Sequence, residues 1–570
     1  MKKLISLMTA VIMLSGTAAS AWEGAEEYDM RKQLVKGSEL NVYVEGDTDS
    51  APYYGARLEP HSGVYFGTLA EHPDILDDFS TCLTYIEFDS QQPDFYYPAN
   101  ETIRNNNVNV MLGWNVANAD TIRNIDAYTD YIENTVQTIA SYGKNVYVRF
   151  AGEMNDTELG NGEEYKYAFR KVADIVHRYD NLAMVWSPIA LGSLLKPYAD
   201  YYPGNEYVDW VGLSCYQIKY FTGRKDVSTD DKMAFMTDTY AWHTNSVKPL
   251  MKFMSEYGIS KPVMISEGGV ANRNVFGEDT SAWASLRLRN MYWDLIMKYP
   301  QVKMINYFNV SMDGETEFFN MEADSELAGI IRNAINSGAY IHRNSQNSFA
   351  FKEIQSSNTL VGPQVPIYAH AYAQGAEFID VDYYIDGNHY GSNVYSPHNI
   401  TINLNDISDG SHTLEVCSRS GDTIIDTKQF NFTKLGAFVR FGAGQIVNNK
   451  QINVSLNGNQ ITFDVPPCII ADRTLVPIRA FANALGISDN DIDYNGNENT
   501  VTIKNGKNTV KLYINNPDSY INGQKAEIDV PPTVIDGRTL VPLRFISENF
   551  NCSVDYTDSS DALNVFLTTK

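Results

Sequence analysis

Two glutamates close apolar runs in the first half of the chain. Glu153 ends VYVRFAGE (146–153), and Glu267 lies near the end of PVMISEGG (262–269). Two carboxyl groups that face each other across a cleft suit the hydrolysis of a glycosidic bond, because one protonates the leaving oxygen while the other meets the developing oxocarbenium ion. Alternatively, each glutamate forms a salt bridge with a loop residue and is purely structural. The catalytic interpretation requires a fold that brings the two glutamates together.

Eight apolar runs alternate with longer helical patterns between Gly63 and Gly338, an arrangement typical of βα units. From Val64 to Val302 there are 238 residues over seven intervals, about 34 each, and this spacing predicts a (β/α)8 TIM barrel, an α/β fold. The predicted strands are VYFGTL (64–69), LTYIEFD (83–89), VNVMLGW (108–114), VYVRFAGE (146–153), LAMVWSP (182–188), DWVGLSCY (209–216), PVMISEGG (262–269) and VKMINYFN (302–309).

The C-terminal ends of the strands form the active-site face of such a barrel, and Glu153 and Glu267 end predicted strands four and seven. Since side chains alternate along a strand, Arg149, Ala151 and Glu153 are predicted to share the inner side. The outer side, which faces the helices, then carries Val146, Val148 and Phe150. Arg149 is either a structural ion-pair partner or a group that tunes the carboxylates.

Three further residues near strand ends are candidates for contact with a sugar. Trp114 and Trp186 end strands three and five, where an indole face stacks on a sugar ring or is simply part of the core. Asn155 follows Glu153 closely, and it either touches substrate or caps the next turn.

Four motifs, in this order, resemble family 26 of the glycoside hydrolases and span nearly the whole predicted barrel. They are RFAGEMN (149–155), VWSP (185–188), YYPGNEYVDWVGLSCY (201–216) and KPVMISEGG (261–269). The resemblance implies that Glu153 is the acid/base, that Glu267 is the nucleophile and that Tyr216 hydrogen-bonds the nucleophile. It also implies a retaining endo-β-glycanase that acts on a β-1,4-linked polysaccharide, first of all β-mannan, with xylan and mixed-linkage β-glucan as the family's other substrates. Loop lengths around the cleft, which decide between endo and exo action, leave that choice open.

The chain departs from the family pattern in two places. Gly152 stands where the family has a histidine directly before the acid, and the tryptophans that usually follow the acid motif are missing from NDTELGNG (155–162). These departures motivate an alternative, a catalytically inert surface protein that keeps the barrel for carbohydrate binding or as a scaffold. Retention of both glutamates and of Tyr216 favours the enzyme.

The chain after the barrel changes character twice. Residues 343–435 show short alternating strands with turn signals, which predict an immunoglobulin-like β-sandwich. Residues 436–570 contain a repeat: LNGNQITFDVPPCIIADRTLVPIRAFANALG from Leu456 matches INGQKAEIDVPPTVIDGRTLVPLRFISENFN from Ile521. These paired motifs resemble the copper amine oxidase N-terminal-like domain. Because 436–570 contain no histidine, an imidazole-ligated copper site is not expected there, and we interpret the module as structural or as one that associates with the cell surface or cell wall.

The N-terminus resembles a secretory signal. Lys2 and Lys3 precede an apolar run and the small residues Ala19-Ser20-Ala21, so residues 1–21 are predicted to be a signal peptide, followed by an N-terminal extension over 22–62 and the barrel over 63–342. No later run approaches the length of a membrane-spanning helix, so we expect a secreted or surface-associated protein without a transmembrane segment.

Composition limits the partners and cofactors. A net charge of −26 argues against nucleic acid as a partner, and a neutral polysaccharide fits better. No cofactor or metal is expected in the chemistry, since no HExxH motif or phosphate-binding glycine loop occurs and the nine histidines lack ligand spacing. Cys468 and Cys552 either form a disulfide within the last domain or are buried free thiols like the other three cysteines.

Overall fold

The computed structural model describes most of the chain from residue 38 to the C-terminus. The described residues are 38–46, 51–69, 79–89, 101, 103, 105–106, 108–156, 159–189, 196–219, 247–274, 276–310, 319–321, 325–342, 349–354, 359–373, 376, 378–436, 438–441, 451–470, 473–496, 498–506, 508–514, 516, 518–528, 530–535, 538–558 and 562–570. The predicted signal peptide lies outside them. Among them, no helix is both long and apolar enough to cross a membrane.

The first described strand, β1 (Ser38–Gly46), belongs to the sandwich rather than to a separate extension. Residues after it run beneath the barrel, where Tyr147 donates to the Leu58 carbonyl and Lys303 Nζ lies 2.7 Å from Glu59 Oε1. This lysine and glutamate are almost fully buried and pair with each other, as charges removed from water must. The predicted extension over 22–62 therefore contributes, in its described part, to two domains.

All eight predicted barrel strands are present and form a closed parallel sheet. The first strand, β2 (Val64–Leu69), and the last, β9 (Val302–Tyr307), close it, with Tyr65 opposite Met304 and Thr68 opposite Tyr307. The strands are β2 (Val64–Leu69), β3 (Thr81–Glu87), β4 (Asn109–Asn115), β5 (Val146–Phe150), β6 (Leu182–Trp186), β7 (Trp210–Gln217), β8 (Val263–Val270) and β9 (Val302–Tyr307), with the short β10 (Tyr340–Ile341) beside β2.

Helices lie between the strands and cover the outer face of the barrel. The helix that follows β5 begins with a capping box: the Asn161 side chain accepts from the Glu164 backbone N–H, and the Glu164 side chain accepts from the Asn161 N–H. The helices are α1 (Ala119–Arg123), α2 (Thr129–Ser141), α3 (Gly162–Val176), α4 (Tyr198–Tyr201), α5 (Val247–Glu256), α6 (Ser281–Arg289), a π-helical turn (Asn290–Asp294), α7 (Leu295–Lys298) and α8 (Glu326–Ile335), with a 3-10 turn over Ile125–Tyr128.

Alternate residues of the barrel strands enter two separate cores. Outward residues such as Val148, Met184 and Ile265 pack against the helices, whereas inward residues such as Met111 and Met264 fill the barrel. This alternation follows from the two-residue period of a strand. It decides which residues can reach the mouth of the barrel.

The sandwich consists of a four-stranded sheet, β11-β1-β13-β16, and a six-stranded sheet, β12-β19-β18-β17-β14-β15. It extends to Phe441, past the predicted boundary at residue 435, and β1 pairs with β13 from Ser38 opposite Ala373 to Val44 opposite Ile367. The strands are β11 (Ala350–Glu353), β12 (Thr359–Val361), β13 (Gln364–Ala373), β14 (Asp380–Ile385), β15 (Asn388–Asn393), β16 (Ile400–Asn403), β17 (Gly410–Ser420), β18 (Thr423–Leu435) and β19 (Phe438–Phe441), with a 3-10 turn over Leu404–Asp406.

The predicted repeat appears as two similar units. The RTLVP strands β23 (Arg473–Pro477) and β30 (Arg538–Pro542) pair antiparallel with Val476 opposite Val541, and each leads into a short helix. Cys468 and Cys552 are buried free thiols, as are the other three cysteines, so no disulfide joins them. The strands are β20 (Gln451–Leu456), β21 (Asn459–Gln460), β22 (Cys468–Ile470), β23 (Arg473–Pro477), β24 (Ile492–Asn495), β25 (Thr500–Asn505), β26 (Asn508–Tyr513), β27 (Asp518–Ile521), β28 (Gln524–Glu527), β29 (Thr533–Ile535), β30 (Arg538–Pro542), β31 (Cys552–Asp558) and β32 (Ala562–Thr569), and the helices are α9 (Ile478–Ala484) and α10 (Leu543–Asn549), with a 3-10 turn over Asp489–Asp491.

Candidate active site

Glu153 reaches the barrel mouth on a turn and not on a strand. β5 ends at Phe150, and Ala151 and Glu153 adopt left-handed φ values of 47° and 60°. The predicted alternation through Glu153 is therefore wrong beyond Arg149, because Ala151 packs into the helix-facing core. The Glu153 N–H donates to the Ser187 carbonyl at 2.8 Å, which anchors the turn on the neighbouring strand. Left-handed non-glycine residues cost energy and concentrate at functional sites.

Glu267 lies in β8, 2% exposed, with donors on both carboxylate oxygens. Oε2 accepts from the Tyr85 hydroxyl at 2.6 Å and from Arg149 Nη1 at 2.8 Å, and Oε1 accepts from the Tyr216 hydroxyl. A shift of strand register opposite Ser214 places this residue beside Glu267. Three donors compensate for the burial of the carboxylate and fix its orientation.

Arg149 joins the two glutamates through one guanidinium group. Its Nη1 binds Glu267, and its Nη2 lies 3.2 Å from Glu153 Oε1. Arg149 also donates to two serine hydroxyls, from Nε to Ser187 Oγ at 3.1 Å and from Nη2 to Ser214 Oγ at 2.7 Å. Burial lowers the pKa of Arg149, but the charges of Glu267 and Glu153 outweigh burial and raise it. Arg149 therefore stays cationic between two carboxyl groups.

Gly152 leaves the room that this guanidinium occupies. A Cβ atom at position 152 would lie 2.5 Å from Arg149 Nε and 2.6 Å from Cζ, closer than any side chain tolerates. In this structure, any residue larger than glycine, including a histidine, would have to displace Arg149. The departure at Gly152 is therefore matched to the position of Arg149.

The surroundings of Glu153 raise its pKa. Burial is the main cause, and the negative charge of Glu267 is the second, while Arg149 and a hydrogen bond from Ser214 act in the opposite direction. A carboxyl group with a raised pKa keeps its proton at higher pH, as a general acid requires. Burial and then the charge of Glu267 also raise the pKa of Tyr85 and of Tyr216, so both remain protonated donors.

The predicted role of Trp114 and Trp186 in stacking on a sugar is wrong. Both indoles are fully buried in the helix-facing core. Trp114 packs 5.4 Å from the Phe88 ring, and Trp186 donates its indole N–H to the Tyr201 carbonyl at 3.0 Å. They share the outward parity of Phe150, so neither offers a face to the cleft.

Asn155 holds a loop beside the cleft. Its Nδ2 donates to the Ile189 carbonyl at 2.8 Å, and its Oδ1 accepts from the Ile189 N–H at 2.9 Å. With the side chain fully buried and both ends occupied, Asn155 positions the chain after β6 and does not reach for substrate.

Tyr85 was missed by the sequence analysis, as were the serines around Arg149. Tyr85 has the inward parity of Leu83 on β3, a signal that would have identified it. Its ring lies where a Cβ at Gly113 would come within 2.4 Å, so Gly113 makes room for it. Ser187 and Ser266 share a hydrogen bond of 2.7 Å beneath the arginine. The sequence signal for these serines is that each is a short polar residue within or next to an otherwise apolar strand.

Two regions of the chain match known family models. Residues 122–280, which include both glutamates, match the family model described as glycosyl hydrolase family 26, and residues 455–565 match the copper amine oxidase N-terminal domain. A beta-1,3-xylanase of Alcaligenes sp and beta-1,3-xylanase TXYA of Vibrio sp are each 34% identical over 96 residues, which is 15% of this chain and 20% of theirs. The chain thus spans about a fifth of the length of the curated relatives it matches.

Among solved structures, a GH26 beta-mannanase from Bacteroides ovatus is 14% identical, covers 50% of this chain and 92% of its own, and has a TM-score of 0.36. The catalytic domain of a Bacillus sp. GH26 endo-beta-1,4-mannanase is 15% identical, covers 53% and 97%, and has a TM-score of 0.37. Both superpositions are too loose to bear on function. The chain therefore contains a region similar to glycosyl hydrolase family 26 within its barrel and a region similar to the copper amine oxidase N-terminal domain after the sandwich.

Proposed function

We propose that this protein is a retaining glycoside hydrolase that cleaves a β-linked polysaccharide, with Glu153 as the acid/base and Glu267 as the nucleophile. The observation that carries the proposal is the shared guanidinium of Arg149, which holds two carboxyl groups in unlike surroundings. Glu267 is fixed by three donors, whereas Glu153 has a raised pKa and a side chain that is 16% exposed toward the mouth. Such a division of two carboxyl groups suits the two roles in glycoside hydrolysis.

The first half of the reaction forms a glycosyl-enzyme. A Glu267 oxygen bonds to the anomeric carbon as the bond from that carbon to the glycosidic oxygen breaks, and Glu153 gives its proton to the departing oxygen. Tyr216 and Tyr85 hold the carboxylate of Glu267 on line for this attack. Arg149 balances negative charge in the pair while the proton leaves Glu153.

The second half releases the sugar with its configuration retained. Glu153, now a carboxylate, takes a proton from water as the water oxygen bonds to the anomeric carbon, and the bond to Glu267 breaks. Each carboxyl group then returns to its starting state, ready for another cycle.

Two polymers lead the substrate proposal. β-Mannan comes first, because the four barrel motifs resemble a family that acts mostly on it. β-1,3-Xylan comes second, because both curated relatives are named as beta-1,3-xylanases. Action within the chain rather than at its end is proposed for either polymer.

An inert carbohydrate-binding barrel is the alternative, motivated by Gly152. The structure favours the enzyme, since the space beside Gly152 is filled by a guanidinium bonded to both glutamates. We further propose that the N-terminal signal directs secretion and that the C-terminal modules tether the barrel to the cell surface or to the polymer.

The test is hydrolysis by the full chain after its signal peptide, with Glu267→Gln as the matched control. Reducing ends are followed on β-mannan, β-1,3-xylan, β-1,4-xylan, mixed-linkage glucan and cellulose. Release from one polymer that disappears in the control supports the proposal and identifies the substrate. No release from any polymer, with binding to one of them intact, would establish the inert alternative.

A further inference from the structure

A cleft of about 800 Å³ lies at the rim of the barrel, outside the catalytic pair and against the sandwich. Its barrel side includes Asn272, Arg273 and Asn320, and its sandwich side is formed by Phe378 and Tyr395. Ligand sites typically enclose about 300 to 1,000 Å³ and combine apolar surface with a few convergent polar groups. The size and lining of this cleft fit that description.

The sandwich supplies an aromatic wall. Phe378 is 48% exposed and Tyr395 is 45% exposed, and exposed aromatics on one surface mark interaction sites. Arg289 lies 4.8 Å from the centre of the Tyr395 ring and steadies it. Aromatic rings pack well on the C–H faces of a pyranose, which are apolar although the rim of the sugar is polar.

The barrel side of the cleft carries polar side chains. Ser281, Ser285 and Glu326 line it and are reached by solvent. Asn272 Nδ2 lies 3.4 Å from the Asn320 carbonyl, which holds these two lining residues together. Hydroxyl and carboxylate groups that converge on a cleft suit a ligand with several hydroxyl groups, such as a sugar.

The cleft is joined to the catalytic pair through two short connections. Asn272 follows β8, the strand that carries Glu267, by two residues. Asn320 follows Phe319, whose ring lies 5.0 Å from the Tyr216 ring, and Tyr216 donates to Glu267. Asn272 and Asn320 thus connect one end of the cleft to the mouth of the barrel, where Glu267 and Tyr216 lie.

We propose that this cleft, between the barrel rim and the sandwich, binds glycosyl units of the polysaccharide at a distance from the bond that is cleaved. The wall of Phe378 and Tyr395 packs on sugar faces, and the polar side chains of the barrel side hydrogen-bond sugar hydroxyl groups. The identity of the polymer rests on the proposed function. The sandwich is then part of the substrate-binding surface.

Binding is measured with the inactive Glu267→Gln full chain, so that the test does not depend on hydrolysis. Affinity electrophoresis in gels with galactomannan and co-sedimentation with insoluble β-1,3-xylan give the dissociation constants. The double substitution Phe378→Ala/Tyr395→Ala, made in this background, is expected to weaken binding to the favoured polymer about tenfold. Tyr257→Ala is the control, because Tyr257 is 59% exposed and lies just before β8, at the opposite end of the barrel.

The outcomes separate this proposal from the proposed hydrolysis. A tenfold loss in the double variant, with none in the control and with unchanged thermal unfolding, supports the cleft even if the active chain hydrolyses nothing. Equal binding by the double variant and its parent overturns the cleft and leaves hydrolysis standing. Absence of binding to every polymer by Glu267→Gln overturns the cleft as well.

Discussion

The inner and outer faces of the same barrel strands differ in chemistry. The outer face of β4, β5 and β6 ends in Trp114, Phe150 and Trp186, all buried among helices. Near the mouth, the inner face carries Arg149 with Ser214 and Glu267, linked by hydrogen bonds. A single step along a strand thus separates residues that stabilise the fold from residues arranged for catalysis. Substitutions on the outer face should change stability, and those on the inner face should change activity.

Replacing Arg149 with methionine should have the largest effect, because it leaves two buried carboxyl groups without their shared cation. We expect kcat/KM to fall about a thousandfold. The free energy of unfolding should also fall by about 3 to 5 kcal/mol, since this arginine is itself buried. Kinetics and urea unfolding of the full chain measure both, with Arg149→Lys as a control that keeps the charge. Normal turnover by Arg149→Met would contradict the bridging role.

The comparison of faces is tested most sharply by a pair of aromatic substitutions. Tyr85→Phe removes one donor to Glu267, so kcat/KM should fall about a hundredfold while the fold is kept. Trp186→Ala empties a site in the outer core, so the free energy of unfolding should fall by about 3 to 5 kcal/mol. Folded Trp186→Ala should retain its kcat. If Tyr85→Phe lost mainly stability and Trp186→Ala lost mainly activity, the two faces would not be divided in this way.

Gly152→Ala should have a smaller effect on activity. Its Cβ would meet the Arg149 guanidinium, so the arginine must shift and kcat/KM should fall about tenfold. Gly329→Ala is the matched control, because Gly329 lies within α8 with open space around it, and alanine there should stabilise the helix. An unchanged Gly152→Ala enzyme would show that the guanidinium has room to spare.

The smallest expected effect is a pair of opposite shifts in pH dependence. Activity requires protonated Glu153, so kcat/KM falls as the pH rises through its pKa. Ser214→Ala removes a bond that favours the charged form, which raises this pKa and moves the alkaline limb to higher pH. Asp156→Asn removes a negative charge that raises the pKa of Glu153, so the limb moves to lower pH. Shifts in the same direction, read from pH profiles, would contradict the assignment of Glu153 as the acid.

Much of this arrangement could be predicted from the order of residues. Period and spacing located all eight barrel strands, and they predicted that Glu153 and Glu267 lie near the mouth of the barrel. If the alternation of side chains had been followed along every predicted strand, it would have placed Trp114 and Trp186 on the outer side of the barrel and Tyr85 on the inner side. The left-handed turn at Glu153 could not be predicted, because only its contacts with neighbouring strands impose it.

The position of β1 in the sandwich was equally hidden from sequence. β1 pairs with β13, more than 300 residues away, and no local pattern reports the partner of a distant strand. For the same reason, the predicted boundaries at residues 62 and 435 missed that β1 belongs to the sandwich and that the sandwich extends to Phe441. Cutting the chain at residue 342 would leave β1 without both of its neighbours, which is why each experiment uses the full chain.

The most direct test of the central claim is the product formed with azide by two variants, using a 2,4-dinitrophenyl β-glycoside of the sugar found in the substrate. Glu153→Ala still forms the glycosyl-enzyme from this activated substrate, and azide then displaces Glu267 to give the β-glycosyl azide. In Glu267→Ala, azide attacks in place of the missing carboxylate and gives the α-glycosyl azide. These two anomers, assigned by NMR, are the result that the account predicts; the same anomer from both variants, or no azide product from either, would contradict it.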